Sequence, residues 1–176
     1  MSTRTQYPTD LTDAQWQLIH PMLPPRKWRR GGPGRPPCDV RRVIDGIIYV
    51  TKTGCQWDML PPTFGCWKTV YGYFNDWSRN EIWQSMMETL TQQERQRQGR
   101  PKSPSAGSVD SQSIKTSTQG AAKGYDAGKQ ITGRKRHLLV DTLGLILRVC
   151  VTAADYSDRV GLMDVSRFRA VMGSPP

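Results

Sequence analysis

The chain has no run approaching the roughly 20 apolar residues that a membrane-spanning helix requires. Its opening, MSTRTQYPTD, also lacks the apolar centre of a secretion signal. A cytoplasmic protein with no membrane partner is the expectation. Cysteine and histidine are sparse and badly spaced for metal work. Cys38, Cys55, Cys66 and Cys150 form no CxxC pair, and His20 and His137 lie far apart, which argues against a zinc site. In a reducing compartment those thiols read as small buried apolar groups. Acid is also scarce, with 15 Asp and Glu against 25 Lys and Arg and a net charge of +10. That excess speaks about partners rather than fold. It points first to nucleic acid and second to an anionic membrane surface. At 176 residues and 36% hydrophobic, the chain can build one ordinary domain or two small ones.

Helical signals fill the first half. Thr12 and Gln15 have the spacing of a capping box, with Leu11 and Trp16 at the staple positions around it. Pro21 should end or kink that helix, because it has no amide hydrogen to donate. The stretch PPRKWRRGGPGRPP reads as a basic loop, either an arm that grips phosphate or a solvated connector. Asp39 caps a second helix whose Val40, Val43, Ile44, Ile47 and Ile48 make one buried stripe, with Gly54 as its stop. Thr63 is the expected cap of a third helix bearing Trp67, Val70, Tyr71 and Phe74 on one face. Asn80 is the expected cap of a fourth, lined by Ile82, Trp83, Met86, Met87 and Leu90. These aromatic and methionine side chains read as core. The second and third helices suit a helix-turn-helix-like pair, although their connection exceeds the usual 3–4-residue turn.

The pattern then changes. QQERQRQGRPKSPS is polar, basic and proline-containing, and reads as a linker. Beyond it, SVD is a short apolar segment ending in an acid, while HLLVD and LILRVCVTA are strand-like runs joined by the hairpin signal DTLG. Between Arg95 and Arg136 every charged residue except Asp110 and Asp126 is basic, a field suited to a polyanion. The expected organisation is α+β. A helical, helix-turn-helix-like DNA-binding domain occupies residues 1–91, a basic linker 92–107, and an incomplete α/β domain 108–176.

Two long stretches carry a family likeness. GRPPCDVRRVIDGIIYVTKTGCQWDMLPPTFGCWKTVYGYFNDW resembles the N-terminal domain of bacterial insertion-element transposases. SVDSQSIKTSTQGAAKGYDAGKQITGRKRHLLVDTLGLILRVCVTAADYSDRVG resembles the opening of the same family's catalytic domain. The likeness runs from about Leu11 to Met163. It implies a ribonuclease-H-like fold of the DDE class, in which three carboxylates hold divalent ions that clamp the attacking and leaving oxygens of a phosphodiester. Mg²⁺ suits such hard oxygen ligands and is the implied cofactor of the complete enzyme. The implied partner is double-stranded DNA at the element's terminal inverted repeats, with a homo-oligomer or a full-length transposase as protein partner.

Asp110 matches the family's first acid, so the resemblance makes it a catalytic metal ligand at the end of its strand. By itself it reads as an ordinary turn acid. Asp141 belongs to the DTLG turn, Asp158 suits the N-cap of a helix at VGLMDV, and Asp155 precedes it. Asp126 resembles a family position outside the triad. The remaining triad members belong on a later strand and helix, and the chain stops at SRFRAVMGSPP before either. A fragment, inactive or weakly stable by itself, is therefore the expectation, either as part of a transposase or as a DNA-binding regulator or remnant of an element. Lys129, Arg134, Lys135 and Arg136 read as phosphate contacts near Asp110 or as charges that solvate a hairpin. Arg41, Arg42 and Lys68 lie off the apolar stripes and suit DNA contact, with Arg41 equally placed to pair with Asp45. The runner-up, a basic RNA-binding domain, lacks an aromatic RNP-type strand.

Overall fold

A computed structural model describes residues 7–24, 38–116 and 123–157. The chain falls into two compact units, Met1–Met86 and Met87–Pro176. The basic loop at 25–37 and the helix anticipated after Asp158 lie outside the described residues.

The first unit is helical. Helix α1 (Asp13–Ile19) opens on the capping box, with the Thr12 hydroxyl accepting from the Gln15 amide and the Gln15 side chain accepting from the Thr12 amide. It passes into a 3₁₀ turn at His20–Met22, where Pro21 forbids continuation. Helix α2 (Val40–Thr53) is capped by Asp39 and ends at Gly54, whose φ of 69° is costly for residues with a Cβ. Its Val43, Ile44, Ile47 and Val50 are buried with Leu60, Phe64, Val70, Trp77 and Met86. Gly46 sits inside this helix because a Cβ there would meet the Phe64 Cβ at 3.2 Å. Rings knit the remainder: Tyr7, Tyr49 and Phe64 pack mutually, and Trp57 packs on Phe74.

Helix α3 (Trp67–Arg79) starts later than Thr63 predicts. Residues Pro62–Phe64 form a 3₁₀ turn ended by Gly65 at φ 99°, so Cys66 becomes the N-cap and the Thr63 hydroxyl donates to the Tyr7 hydroxyl instead. Asn80 closes α3 rather than opening the next helix, its amide group donating to the Asp76 carbonyl. Tyr71, expected in the core, is exposed. Nor are the thiols uniformly buried, since Cys38 and Cys66 are exposed.

Helix α4 (Ile82–Arg97) is longer than its apolar face implies. Residues 92–97, expected in the linker, are its last turns. Arg95 explains why: it is 4% exposed and donates to the Pro101 carbonyl and to the Asp141 carboxylate. A charged side chain completes the inner face where no apolar residue does.

The second unit contains an antiparallel sheet. Strand β1 (Gly107–Lys115), β2 (Gly124–Asp126), β3 (Ile131–Asp141) and β4 (Ile146–Ala153) all pair through β3. β1 runs along one edge of β3. Residues 134–140 pair with β1 and β4 together, and Gly133 with β1 and β2 together, so β2 and β4 share the other edge. The β3–β4 hairpin is the DTLG turn, with Gly144 at φ 77°. Strand β2 went unread because it has only three residues. The observed architecture is thus α+β, with helices preceding an antiparallel sheet.

Candidate nucleic-acid interface

The pleat sorts the sheet's chemistry onto two faces, because residues alternate along a strand and directly paired residues share a side. One face carries Asp110, Gln112 and Ile114 of β1, Arg134, Arg136 and Leu138 of β3, and Val149 and Val151 of β4. The opposite face carries Ser111, Ser113, Lys135, His137, Cys150 and Thr152.

Asp110 is exposed on the first face, paired in register with Leu138. It stands within β1 rather than at its end, since the strand continues through SQSIK to Lys115. Burial alternates along that run, with Ser111 and Ser113 half-buried and Gln112 and Ile114 exposed. Two residues on, the Arg136 guanidinium donates from Nη2 to Gln112 Oε1 at 2.7 Å, and both side chains are exposed. Gln112 was not singled out in the sequence, where only register could reveal it.

The opposite face is built from buried charge. The Asp126 carboxylate accepts from the Ser113 hydroxyl at 2.5 Å and from the Gly128 and Lys129 amides at 3.1 Å, and pairs with Lys135 Nζ at 3.3 Å. The Ser113 hydroxyl above all, then the Lys129 amide and Lys135, hold the Asp126 carboxyl down at about 2. Lys135 also donates to the Tyr156 carbonyl at 2.8 Å. His137 is fully buried, its Nε2 3.1 Å from the Thr152 hydroxyl. Asp141 does more than turn the hairpin. Its carboxylate accepts from the Leu143 and Leu145 amides and from Arg95. Burial pushes that carboxyl up, but the Leu145 amide, Arg95 and the Leu143 amide outweigh it, so the group sits below the ordinary carboxylate range.

The basic residues expected to contact phosphate therefore separate. Arg136 and Arg134 share the Asp110 face. Lys135 points to the other face and is 5% exposed, its ammonium committed to Asp126 and Tyr156. Lys129 is exposed in the β2–β3 turn, with Nζ donating to the Ser111 carbonyl. On the helical unit, Arg42 and Lys68 are exposed, Arg42 3.9 Å from Asp39 and Lys68 over the Trp67 ring. Arg41 does not pair with Asp45. It bonds the Leu11 carbonyl and Asp13 and lies over the Trp16 ring, while Asp45 accepts from the Leu11 amide. Arg41 is thus spent on holding α1 to α2.

Residues 11–87 match the family model described as "Putative transposase of IS4/5 family", and residues 101–170 match that of the "Transposase DDE domain". Over both regions the chain is similar to insertion-element transposases. A relative from Burkholderia cepacia, "Insertion element IS402 uncharacterized 16.2 kDa protein", is 40% identical over 83 residues. That match covers 46% of this chain and 56% of the relative, so the chain spans about half the length of the curated relative. No solved structure matches it.

The family's metal chemistry demands several converging oxygen ligands. Among the described residues no three His, Cys, Asp or Glu side chains converge. Asp110, with the neutral Gln112 beside it, does not amount to a metal-pair site, and no chemical step follows from the described residues alone. Nor, among them, is any helix long and apolar enough to cross a membrane.

Proposed function

We propose that this chain serves DNA transposition by binding the terminal inverted repeats of an insertion element, with the Asp110 face of the sheet lying against the phosphodiester backbone. What carries the reading is the tandem of matched regions, residues 11–87 followed by 101–170, together with an exposed acid flanked by arginines on the second. We read the antiparallel sheet as the opening of a ribonuclease-H-like domain and α2 with α3 as the helix-turn-helix-like reader of DNA. Arg42 and Lys68 then supply phosphate contacts from the helices, and Arg134, Arg136 and Lys129 from the sheet, positioning the duplex rather than reading its bases. We read Asp110 as one ligand to the Mg²⁺ of the complete enzyme. A second copy or a longer transposase is the expected protein partner.

The test is binding of the whole chain to a labelled terminal-repeat duplex over a range of salt. Phosphate contact predicts a linear fall of log affinity with log salt, steeper with each contact. Absence of binding at low salt would overturn the reading. Binding accompanied by Mg²⁺-dependent nicking that Asp110→Ala abolishes supports an enzyme. Binding with no nicking supports a DNA-binding regulator.

A further inference from the structure

We infer that Gln112 is a positioning residue, fixing the Arg136 guanidinium so that the phosphate it grips lies beside Asp110. The inference rests on the reading that this sheet face meets DNA. Register supplies the geometry. Asp110 pairs with Leu138 and Gln112 with Arg136, so Arg136 is the diagonal neighbour of Asp110 on one face. Diagonal neighbours in an antiparallel pair stand about 7–8 Å apart, within reach of a long side chain. An exposed arginine samples many rotamers, and Gln112 restrains this one by accepting from Nη2 at 2.7 Å. The remaining N–H groups of the guanidinium fork stay free to donate to phosphate oxygens.

Residue type matters as much as place. A glutamate at 112 would hold the arginine equally well but cancel its charge. Glutamine's amide oxygen orients the cation and leaves its full attraction for a phosphate intact. Lys135, one residue away on the opposite face, shows the contrasting arrangement, in which a carboxylate partner and burial take the cation out of service.

Affinity of the whole chain for a short mixed-sequence duplex, measured by anisotropy without magnesium at several salt concentrations, tests this. Arg136→Ala is expected to weaken binding and lower the salt slope by about one. Gln112→Glu should lower the slope similarly, because the added carboxylate neutralises Arg136. Gln112→Met, which keeps the shape and loses the acceptor, should leave the slope unchanged. The decisive readout is coupling to Asp110. Asp110→Asn removes a charge facing the held phosphate and should tighten binding about threefold. In the Gln112→Met background that gain should vanish, as it should in Arg136→Ala. An undiminished gain in Gln112→Met overturns the positioning role while leaving the DNA-binding face standing. If neither Asp110→Asn nor Arg136→Ala alters affinity, the face does not meet DNA, and the underlying reading falls together with this one. Should Gln112→Met fail to fold, as judged by far-UV circular dichroism, Gln112→Glu decides: an unchanged slope overturns the inference.

Discussion

The two units are held by different forces. In the helical unit the buried residues are aliphatic and aromatic, with Asp45 as the one buried acid among those described. In the sheet unit the described buried side chains are those of Arg95, Asp126, Lys135, His137 and Asp141, with Ala154 the sole buried hydrophobic among the described residues. Ile114, Ile146, Val149 and Val151 are exposed, while Leu138, Leu139, Leu145 and Leu147 are half-buried. Apolar burial is forgiving in direction and proportional to area. A buried ion network is unforgiving, since removing one member strands another in a poor dielectric. The helical unit should therefore answer to changes in volume and the sheet unit to changes in charge.

The sharpest way to break that contrast is Asp141→Ala. It leaves Arg95 buried without its carboxylate partner and should cost about 3–5 kcal/mol in the sheet unit. The chain offers a clean discriminator, because all 6 tryptophans precede residue 87. Denaturant unfolding followed by tryptophan emission should keep its midpoint, while far-UV circular dichroism should reveal an earlier transition. Equal shifts in both signals would mean that the units do not melt independently.

The mirror experiment, Ile44→Ala, empties space in a core side chain that is 1% exposed and should cost about 2–5 kcal/mol. Here tryptophan emission is the signal expected to move.

Acid supplies a milder test. Asp126 has a folded pKa of about 2, below the roughly 3.9 of a free aspartate. Its contribution is therefore fully present above about pH 4 and is lost as pH falls toward 2. Asp141, also depressed, adds in the same direction. Melting temperature of the sheet signal should drop across that window more steeply than that of tryptophan emission, and Asp126→Asn should flatten the drop. The smallest effect belongs to Arg41→Ala. Losing its bond to the Leu11 carbonyl should cost about 1 kcal/mol. Because that guanidinium is already engaged, the salt slope of DNA binding should not change, whereas Arg42→Ala should lower it.

The contrast also explains what could be read in advance. Thr12, Gln15, Asp39 and Gly54 act through neighbours a few residues away, so α1 and the bounds of α2 were legible. DTLG was legible for the same reason. The start of α3 was not, because Gly65 adopts a backbone that overrides Thr63. The end of α4 was missed because an apolar count ignores Arg95, whose partner lies 46 residues away. Asp110 was singled out only through family likeness, and its place within a long strand depends on pairing along SQSIK. Which cations face it follows from strand phase. Arg134 and Arg136 share its side while Lys135 does not, a distinction that a basic cluster in a linear string conceals.

Helix α4 has a practical consequence for anyone dividing the molecule. A cut chosen by composition, at 91 or 92, would sever a helix whose first turns carry Trp83 and Met86 into the aromatic core and whose last carry Arg95 to the hairpin. The helical unit uses its first turns and the sheet unit its last. Expressed pieces spanning 1–97 and 82–176 would duplicate that segment, so that neither piece loses the residue that closes its interior.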